Sequence, residues 1–533
     1  MTQARTVTLI DALQDPGRYP HPVDRITVIE THISWVVLTG PFAYKIKKPV
    51  DLGFLDFSTL ERRRFYCQEE LRLNRRLAPR LYRAVIAIGG PAEDPVLGAD
   101  TDIIEYAVQM VQFDQADRLD HRLEQGRLEA GQIDALAEEL ARFHGQAAIA
   151  PADSDYGSAK AVRRPVFENF EQIEPRLSGA RERTRLARLL RWSEREAGEL
   201  EPVFTQRRAE SRVRECHGDA HLANMVWYQG EVLLFDCLEF DPELRWIDVM
   251  SELAFAIMDL QARGQAEFGR RLLDRYLQQT GDYGGLRVLR FYQCYRALVR
   301  AKVEAIRRSQ DKNATTSQPD TADPCHAYID LAGSYMKTPS PALIITCGVS
   351  GSGKTVATDR LVEELPVIRV RSDVERKRLF GFTPAERTGT EAASTVYGPE
   401  AGRRTYERLR NLARQIVGAG YPVVVDATFL RASWRKEFRQ LAADLDIPFL
   451  ILEFHAPVPV LRQRVADRLH RRQDASEAGL EVLEKQLGEW EGLTPDEEKH
   501  AFSLDTTASE APARLLRDLR RILGEDPPGH TYI

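Results

Sequence analysis

The segment Gly348-Val-Ser350-Gly351-Ser352-Gly353-Lys354-Thr355 limits the chain most, because it fits G-x-x-x-x-G-K-[ST] in full. It directly follows an apolar run, ALIITCGV, and opens a helical pattern, TVATDRLVEEL, which is the setting the motif requires. Glycines let successive backbone N–H groups converge on phosphate oxygens, and the helix N-terminus adds positive potential. Lys354 is placed to reach the β- and γ-phosphates, and the Thr355 hydroxyl to coordinate Mg2+.

The surrounding residues alternate. Runs PVIRVRS, YPVVVDAT and PFLILEFH are separated by helical stretches, so a parallel sheet covered by helices is expected over 341–533. Asp373 ends one strand, and Arg376 lies one helical turn on. A carboxylate there can take the proton of an acceptor hydroxyl, and an arginine can hold a phosphate; a surface ion pair is the rival reading. VVVDAT places Asp426 after an apolar run, as a Walker-B-like carboxylate organising Mg2+ or binding substrate. Arg464, Arg468 and Arg471 or Arg472 recur at helical spacing. Such a stripe can close as a lid over nucleotide phosphates, though a solvated helix face is the preferred reading of the outer arginines. This order of motifs resembles the small P-loop kinases, among them polynucleotide 5′-hydroxyl kinases, zeta-toxin-type kinases and gluconate-kinase-like enzymes. The resemblance implies Asp373 as acceptor base and Arg376 as phosphate ligand. The absence of an N/T-K-x-D guanine-reading motif favours ATP.

A chain of 533 residues is too long for one ordinary domain. The polar segment 309–324 reads as a linker, and KTPSP at 337–341 marks the break before the apolar strand. Upstream, the short runs ITVIE, SWVVLT, FAYKIKK and DIIEYAVQMV read as strands, with Ser58-x-x-Glu61 as a capping box opening a helix. From about 130 to about 310 helical patterns dominate. A small β-rich lobe (about 1–110) followed by a helical lobe (about 114–336) is expected, making an α+β domain over 1–336.

The helical lobe carries Cys216-His217-Gly218-Asp219-Ala-His221-Leu-Ala-Asn224, and a strand ends at Asp236 twelve residues further on. Asp219 suits deprotonation of an acceptor hydroxyl, Asn224 and Asp236 suit Mg2+, and His217 suits a loop brace. Zinc on His217, His221 and Asp219 is the rival reading, but it leaves Asn224 and Asp236 without roles. The pattern resembles the catalytic loop of aminoglycoside-phosphotransferase-like kinases, relatives of protein kinases. That resemblance implies a phosphate-gripping lysine at Lys45, with Lys47 as rival on the same strand face, and a helix glutamate partner at Glu70 in preference to Glu69. It also implies phosphate cover by the loop Thr31–Ser34, with Ser34 among the ATP contacts, and a hinge at 106–113. Asp248 is expected to brace a helix or loop. The sequence departs from the family where Cys237-Leu238-Glu239-Phe240-Asp241 follows the metal aspartate, so Glu239 and Asp241 stay open between metal, acceptor and surface roles.

Together the halves resemble bacterial fusions of an aminoglycoside-phosphotransferase-like domain with a P-loop kinase domain. The expected activity is a bifunctional, ATP- and Mg2+-dependent phosphotransfer to hydroxyls. The acceptors would be a small molecule or an RNA or DNA end. An RNA-end kinase and a nucleotide-gated, toxin–antitoxin-like module are the alternatives. Arg296, Arg300 and Arg307 share a helical face, and if it lines the acceptor site the acceptor is neutral or anionic. Net charge of -6 argues against a generally basic nucleic-acid binder. The six cysteines include no C-x-x-C pair, and no apolar run approaches a membrane span. The opening residues lack a signal-peptide core. A cytoplasmic protein with reduced thiols is expected, with no membrane association and no protein partner legible.

Overall fold

The computed structural model describes residues 3–524 except 54, 178, 311–322, 389–395, 472–477 and 509–510. Most of the expected linker therefore lies outside the described residues. The chain forms two compact units. One comprises 1–177, 194–259 and 296–310; the other comprises 178–193, 260–295 and 311–533.

The first unit opens with a six-stranded antiparallel sheet: β1 (Thr27–Glu30), β2 (Ser34–Leu38), β3 (Phe42–Lys47), β4 (Tyr82–Gly89), β5 (Val96–Leu97) and β6 (Ile103–Val111). Its order is β1-β2-β3-β6-β4-β5. Period-two alternation in these runs gives each strand two faces. One face buries Trp35, Val37, Tyr44 and Ile46 against Leu9 and Ile10 of the first helix and Leu13 just after it. On another side, Val108 and Tyr82 pack with Cys67 of the helix Leu60–Asn74 and with Val226 and Leu233. That helix is capped by Thr59, whose hydroxyl accepts from Arg62 N at 3.2 Å. Ser58, the expected cap, instead donates its hydroxyl to Asp56 at 2.6 Å. The stretch from Tyr106 stays in the sheet to Val111, so the connection out of it is the short segment 112–114. Four short strands follow: β7 (Val213–Glu215), β8 (Met225–Tyr228), β9 (Glu231–Leu234) and β10 (Trp246–Asp248). They pair as β7–β10 and β8–β9, both antiparallel, and frame the Cys216–Asp236 segment.

The second unit holds a five-stranded, all-parallel sheet: β11 (Leu343–Cys347), β12 (Ile368–Arg371), β13 (Val423–Asp426), β14 (Phe449–His455) and β15 (Ala501–Asp505). The order is β12-β13-β11-β14-β15. The chain leaves β11 for one side of the sheet and later returns to the other, so a crevice opens at the carboxyl end of β11. Strands β11 and β13 are buried throughout, as a sheet covered on both faces requires. Ile344, Val424 and Leu452 share a core with Leu361 and Val362 of the helix Lys354–Glu364 and with Leu515 and Leu519 near the C-terminal end. The two architectures are the α+β and α/β folds expected from the sequence.

Candidate active sites

In the first unit β3 presents alternate residues to one side. Lys45 and Lys47 both reach Glu70, which is 0% exposed on the helix Leu60–Asn74. Lys45 Nζ lies 2.9 Å from one carboxylate oxygen and Lys47 Nζ 2.7 Å from the other. Lys45 also pairs with Asp236, and Lys47 with Glu239. Burial alone would raise the Glu70 carboxyl, but the two lysines bring it down to about 2. Burial prevails at Glu239, whose carboxyl is raised despite Lys47. Glu69 instead pairs with Arg72 at 2.9 Å. Lys47 is wholly enclosed, whereas Lys45 meets the half-exposed Asp236. Of the two lysines, Lys45 is the one that reaches Asp236. Ser34 opens β2 opposite Lys47, and its buried hydroxyl lacks a hydrogen-bond partner.

The Cys216–Asn224 segment is pinned from several directions. Gly218 sits at φ +90, and a Cβ there would meet Leu244 O at 3.0 Å, so this turn needs glycine. The His217 ring lies 2.9 Å from Phe235 O, and its Nδ1 accepts from Asp219 N at 3.2 Å. The Asn224 amide donates to the Asp219 carboxylate at 2.9 Å. Phe235 N donates to Asn224 O at 2.9 Å, joining that loop to the strand that delivers Asp236. Asp236 itself holds φ +64, an uncommon conformation for a residue with a Cβ. Burial would raise the Asp219 carboxyl, but His221, His217 and Arg300 hold it well below the usual carboxylate range. It is held ionised and accepts a hydrogen bond from Asn224.

Sequence reasoning missed two residues that hold this loop. Glu252 accepts from Gly218 N at 2.7 Å and lies 3.0 Å from the His144 ring. Asp259 accepts from Leu222 N at 2.9 Å. Both come from the helix Val249–Ala262, at a spacing that places them on one face. Asp248, the expected brace, pairs with Arg207 at 2.6 Å and caps Met250 N at 2.9 Å. Among the described residues the cluster with metal-ligand spacing is His144, Cys216 and Glu252, not the His217–His221–Asp219 set. Its carboxylate already serves Gly218 and His144. Asp241 caps a short helix through Glu243 N at 2.8 Å. Arg296 is turned inward, donating to Gly218 O at 3.1 Å and Ser251 O at 3.2 Å. Arg307 pairs with Glu304 at 2.9 Å. The basic face expected from helical spacing is thus divided, with Arg300 3.9 Å from Glu304 and acting electrostatically on Asp219.

In the second unit Gly348 has φ +136, and a Cβ there would stand 2.3 Å from Phe454 O. Gly351 and Gly353 also hold positive φ, and Ser352 is fully buried. Ser350 N donates to the Gln486 side chain at 2.7 Å. Lys354 Nζ donates to Gly348 O at 2.8 Å and Val349 O at 2.9 Å. The Thr355 hydroxyl lies 3.4 Å from the Asp426 carboxylate, and the Thr358 hydroxyl 3.2 Å from the same oxygen. Arg464 donates to the Thr506 hydroxyl at 2.7 Å and lies 3.4 Å from Gly351 O, so it sits against the loop. The Arg468 side chain lies outside the described residues. Asp373 and Arg376 occupy one half-buried helical turn, and both act electrostatically on the Tyr406 hydroxyl. The Arg376 guanidinium lies 5.2 Å from the Tyr397 ring.

No described helix is long and apolar enough to cross a membrane. Residues 59–292 match the phosphotransferase enzyme family, and residues 343–493 match an AAA domain. An uncharacterized protein of Mycobacterium tuberculosis is 29% identical over 474 residues, covering 88% of this chain and 92% of its own. A choline/ethanolamine kinase family protein from Mesorhizobium loti is 14% identical, with TM-score 0.38, covering 63% of this chain and 96% of its own. A sugar kinase from a Janibacter species is 21% identical, with TM-score 0.27, covering 36% and 97%.

Proposed function

We propose that this chain, a kinase by both of its domain matches, is bifunctional and moves the γ-phosphoryl group of ATP to a hydroxyl at each of two separate sites. The observation that carries this reading is a complete set of groups in each unit. One unit pairs Asp219 with Asn224 and Lys45 with Asp236; the other pairs Thr355 with Asp426 and folds Lys354 onto its own glycine-rich turn.

Carboxylate, amide and hydroxyl oxygens are the hard donors that suit Mg2+, so the donor chemistry fits at both places. The ion, when bound, would neutralise phosphate charge. At the first site Asn224 and Asp236 would hold it, and Lys45, kept charged by Glu70, would grip phosphate. Asp219 would take the acceptor's proton. At the second site Thr355 and Asp426 would hold the ion, and Lys354 would exchange its loop carbonyls for phosphate oxygens. Asp373 would receive the proton, Arg376 would steady the acceptor, and Arg464 would contact nucleotide from the side of the loop. Both mechanisms rest on positioning and charge neutralisation.

The positive charge of Arg300, which is felt at Asp219, favours a neutral or anionic acceptor at the first site over a polycation. At the second, the exposed Tyr397 ring under Arg376 favours a second reading, phosphorylation of a nucleic-acid end, since a ring and a guanidinium suit a base and a phosphate. The test uses γ-labelled ATP with a cellular metabolite pool and with a 5′-hydroxyl oligonucleotide. Asp219→Ala should remove one class of labelled product and Lys354→Ala another. Loss of all products in either single variant would overturn bifunctionality. Arg300→Ala should raise the first acceptor's KM with little change in that for ATP; an unchanged acceptor KM would exclude the charge argument.

A further inference from the structure

Behind the Thr355–Asp426 pair lies a buried cation that the phosphate-loop pattern does not foretell. Arg369, on β12, is 1% exposed. It donates to the Thr358 hydroxyl at 3.0 Å and lies 3.5 Å from Thr355 O. The Thr358 hydroxyl in turn reaches Asp426 at 3.2 Å. Arg371, two residues along the strand, has Nε 3.8 Å from the same Asp426 oxygen. Asp426 thus has one arginine nearby and a second connected to it through a single hydroxyl. A guanidinium that turned onto this carboxylate would compete with any divalent cation for its oxygens.

The buried counter-charge to Arg369 comes from outside residues 343–493. Asp274, on the helix Ala266–Thr280, accepts from Arg369 Nε at 3.2 Å and Nη2 at 2.7 Å. Asp359 also accepts from Nη2 at 2.7 Å, but its side chain is 32% exposed against 4% for Asp274. All of these residues belong to the second unit, although Asp274 lies within the 59–292 match. The same helix is anchored along the helix Lys354–Glu364. Arg275 meets Asp359 at 3.1 Å, and Arg270 donates to Glu363 O at 2.7 Å. The two-point grip fixes the guanidinium plane as well as its charge.

We infer that Asp274 is a positioning residue for the metal pair of the P-loop site: it neutralises Arg369 and keeps its fork turned away from Asp426, leaving that carboxylate available to Mg2+. This rests on the reading of Thr355 and Asp426 as the metal pair. Replacing Asp274 by an amide removes the buried half of the neutralising charge. Arg369 then draws on Asp426 through Thr358, and the metal must compete. Partners of metal-binding groups typically influence metal affinity by about 10–100-fold.

The full-length protein carrying Asp236→Asn confines the metal response to the second site. Binding of mant-ATP is titrated with Mg2+, and a parallel series is run in EDTA. Asp274→Asn should raise the Mg2+ concentration needed for half of the affinity gain by about tenfold, with affinity in EDTA little changed. Asp274→Glu should recover most of the loss. A folded Asp274→Asn variant with the parent's Mg2+ dependence would overturn the inference. If circular dichroism shows that Asp274→Asn does not fold, Thr358→Val decides, because it keeps the buried pair and removes only the bridging hydroxyl. Because that bridge carries the pull of Arg369 onto Asp426, a lowered Mg2+ requirement then supports the inference, and an unchanged or raised one overturns it. A parent with no Mg2+-dependent gain would instead sink the metal reading, and this inference with it.

Discussion

Lys45 and Lys354 are the lysines that the proposed function sets against phosphate, and their present partners differ in kind. Lys45 is held by carboxylates from two other elements, Glu70 and Asp236. Lys354 is held by carbonyl oxygens of its own loop, Gly348 and Val349. The first site is assembled from side-chain charges brought together by tertiary folding. The second is assembled from backbone, with the lysine supplied by the same eight residues. A site of the first kind should fail through single charges and through pH. A site of the second kind should fail through a misplaced Cβ.

The largest expected effect tests whether the sites are independent at all. Asp219→Ala should lower transfer at the first site by about 10²–10⁴-fold and leave the second unchanged, while Lys354→Ala should do the converse, as read by labelled phosphate transfer. Coupled losses would break the comparison.

Next comes the sensitivity of the first site to charge. Glu70→Ala leaves Lys45 and Lys47 buried without their shared partner and should cost about 3–5 kcal/mol. Glu69→Ala, one residue away, removes a partly exposed pair and should cost at most about 1 kcal/mol. Chemical denaturation of the two variants would tell them apart, and equal costs would contradict the assignment of Glu70.

The backbone site has a matching test. Gly348→Ala forces a Cβ against Phe454 O at a φ that L-residues avoid, at a cost of about 1–3 kcal/mol. It should weaken mant-ATP binding at the second site alone.

The smallest effect is a matter of pH. Burial would raise the Glu252 carboxyl, but His144, His217 and the Gly218 amide bring it from 4.5 to about 2. A group whose folded value is depressed contributes stability above its unfolded value and loses it on acidification. The Glu252 contribution should be whole above about pH 4.5 and vanish towards about pH 2. Glu252→Gln should flatten that part of the stability profile, measured by denaturation at several pH values.

Contiguity decided what could be read from the sequence. The Gly348–Thr355 loop and the Cys216–Asn224 segment each hold their chemistry within a few residues, so spacing alone announced them. Strand alternation placed Lys45 and Lys47 on one face, yet only the structure distributes them, with Lys45 towards Asp236 and Lys47 enclosed with Glu239. Glu69 and Glu70 are adjacent and chemically alike, and burial of one is a tertiary fact. The supports of the Cys216–Asn224 segment and of the Asp426 surroundings were illegible for a related reason. Glu252 and Gly218 stand 34 residues apart, and Arg369 and Asp274 stand 95 apart. Neither pairing leaves a periodic trace. Local chemistry misled at Ser58, where Asp56 claims the hydroxyl and Thr59 takes the cap. Helical spacing likewise grouped Arg296 with Arg300, although burial turns Arg296 onto Gly218.

Whether one polypeptide grips two nucleotides is settled most directly by the binding stoichiometry of a non-hydrolysable ATP analogue with Mg2+, measured by isothermal titration calorimetry. Two equivalents per chain are predicted, with one remaining in Lys354→Ala and one in Asp236→Asn. A single equivalent in the unsubstituted protein, abolished by only one of these changes, would contradict the account.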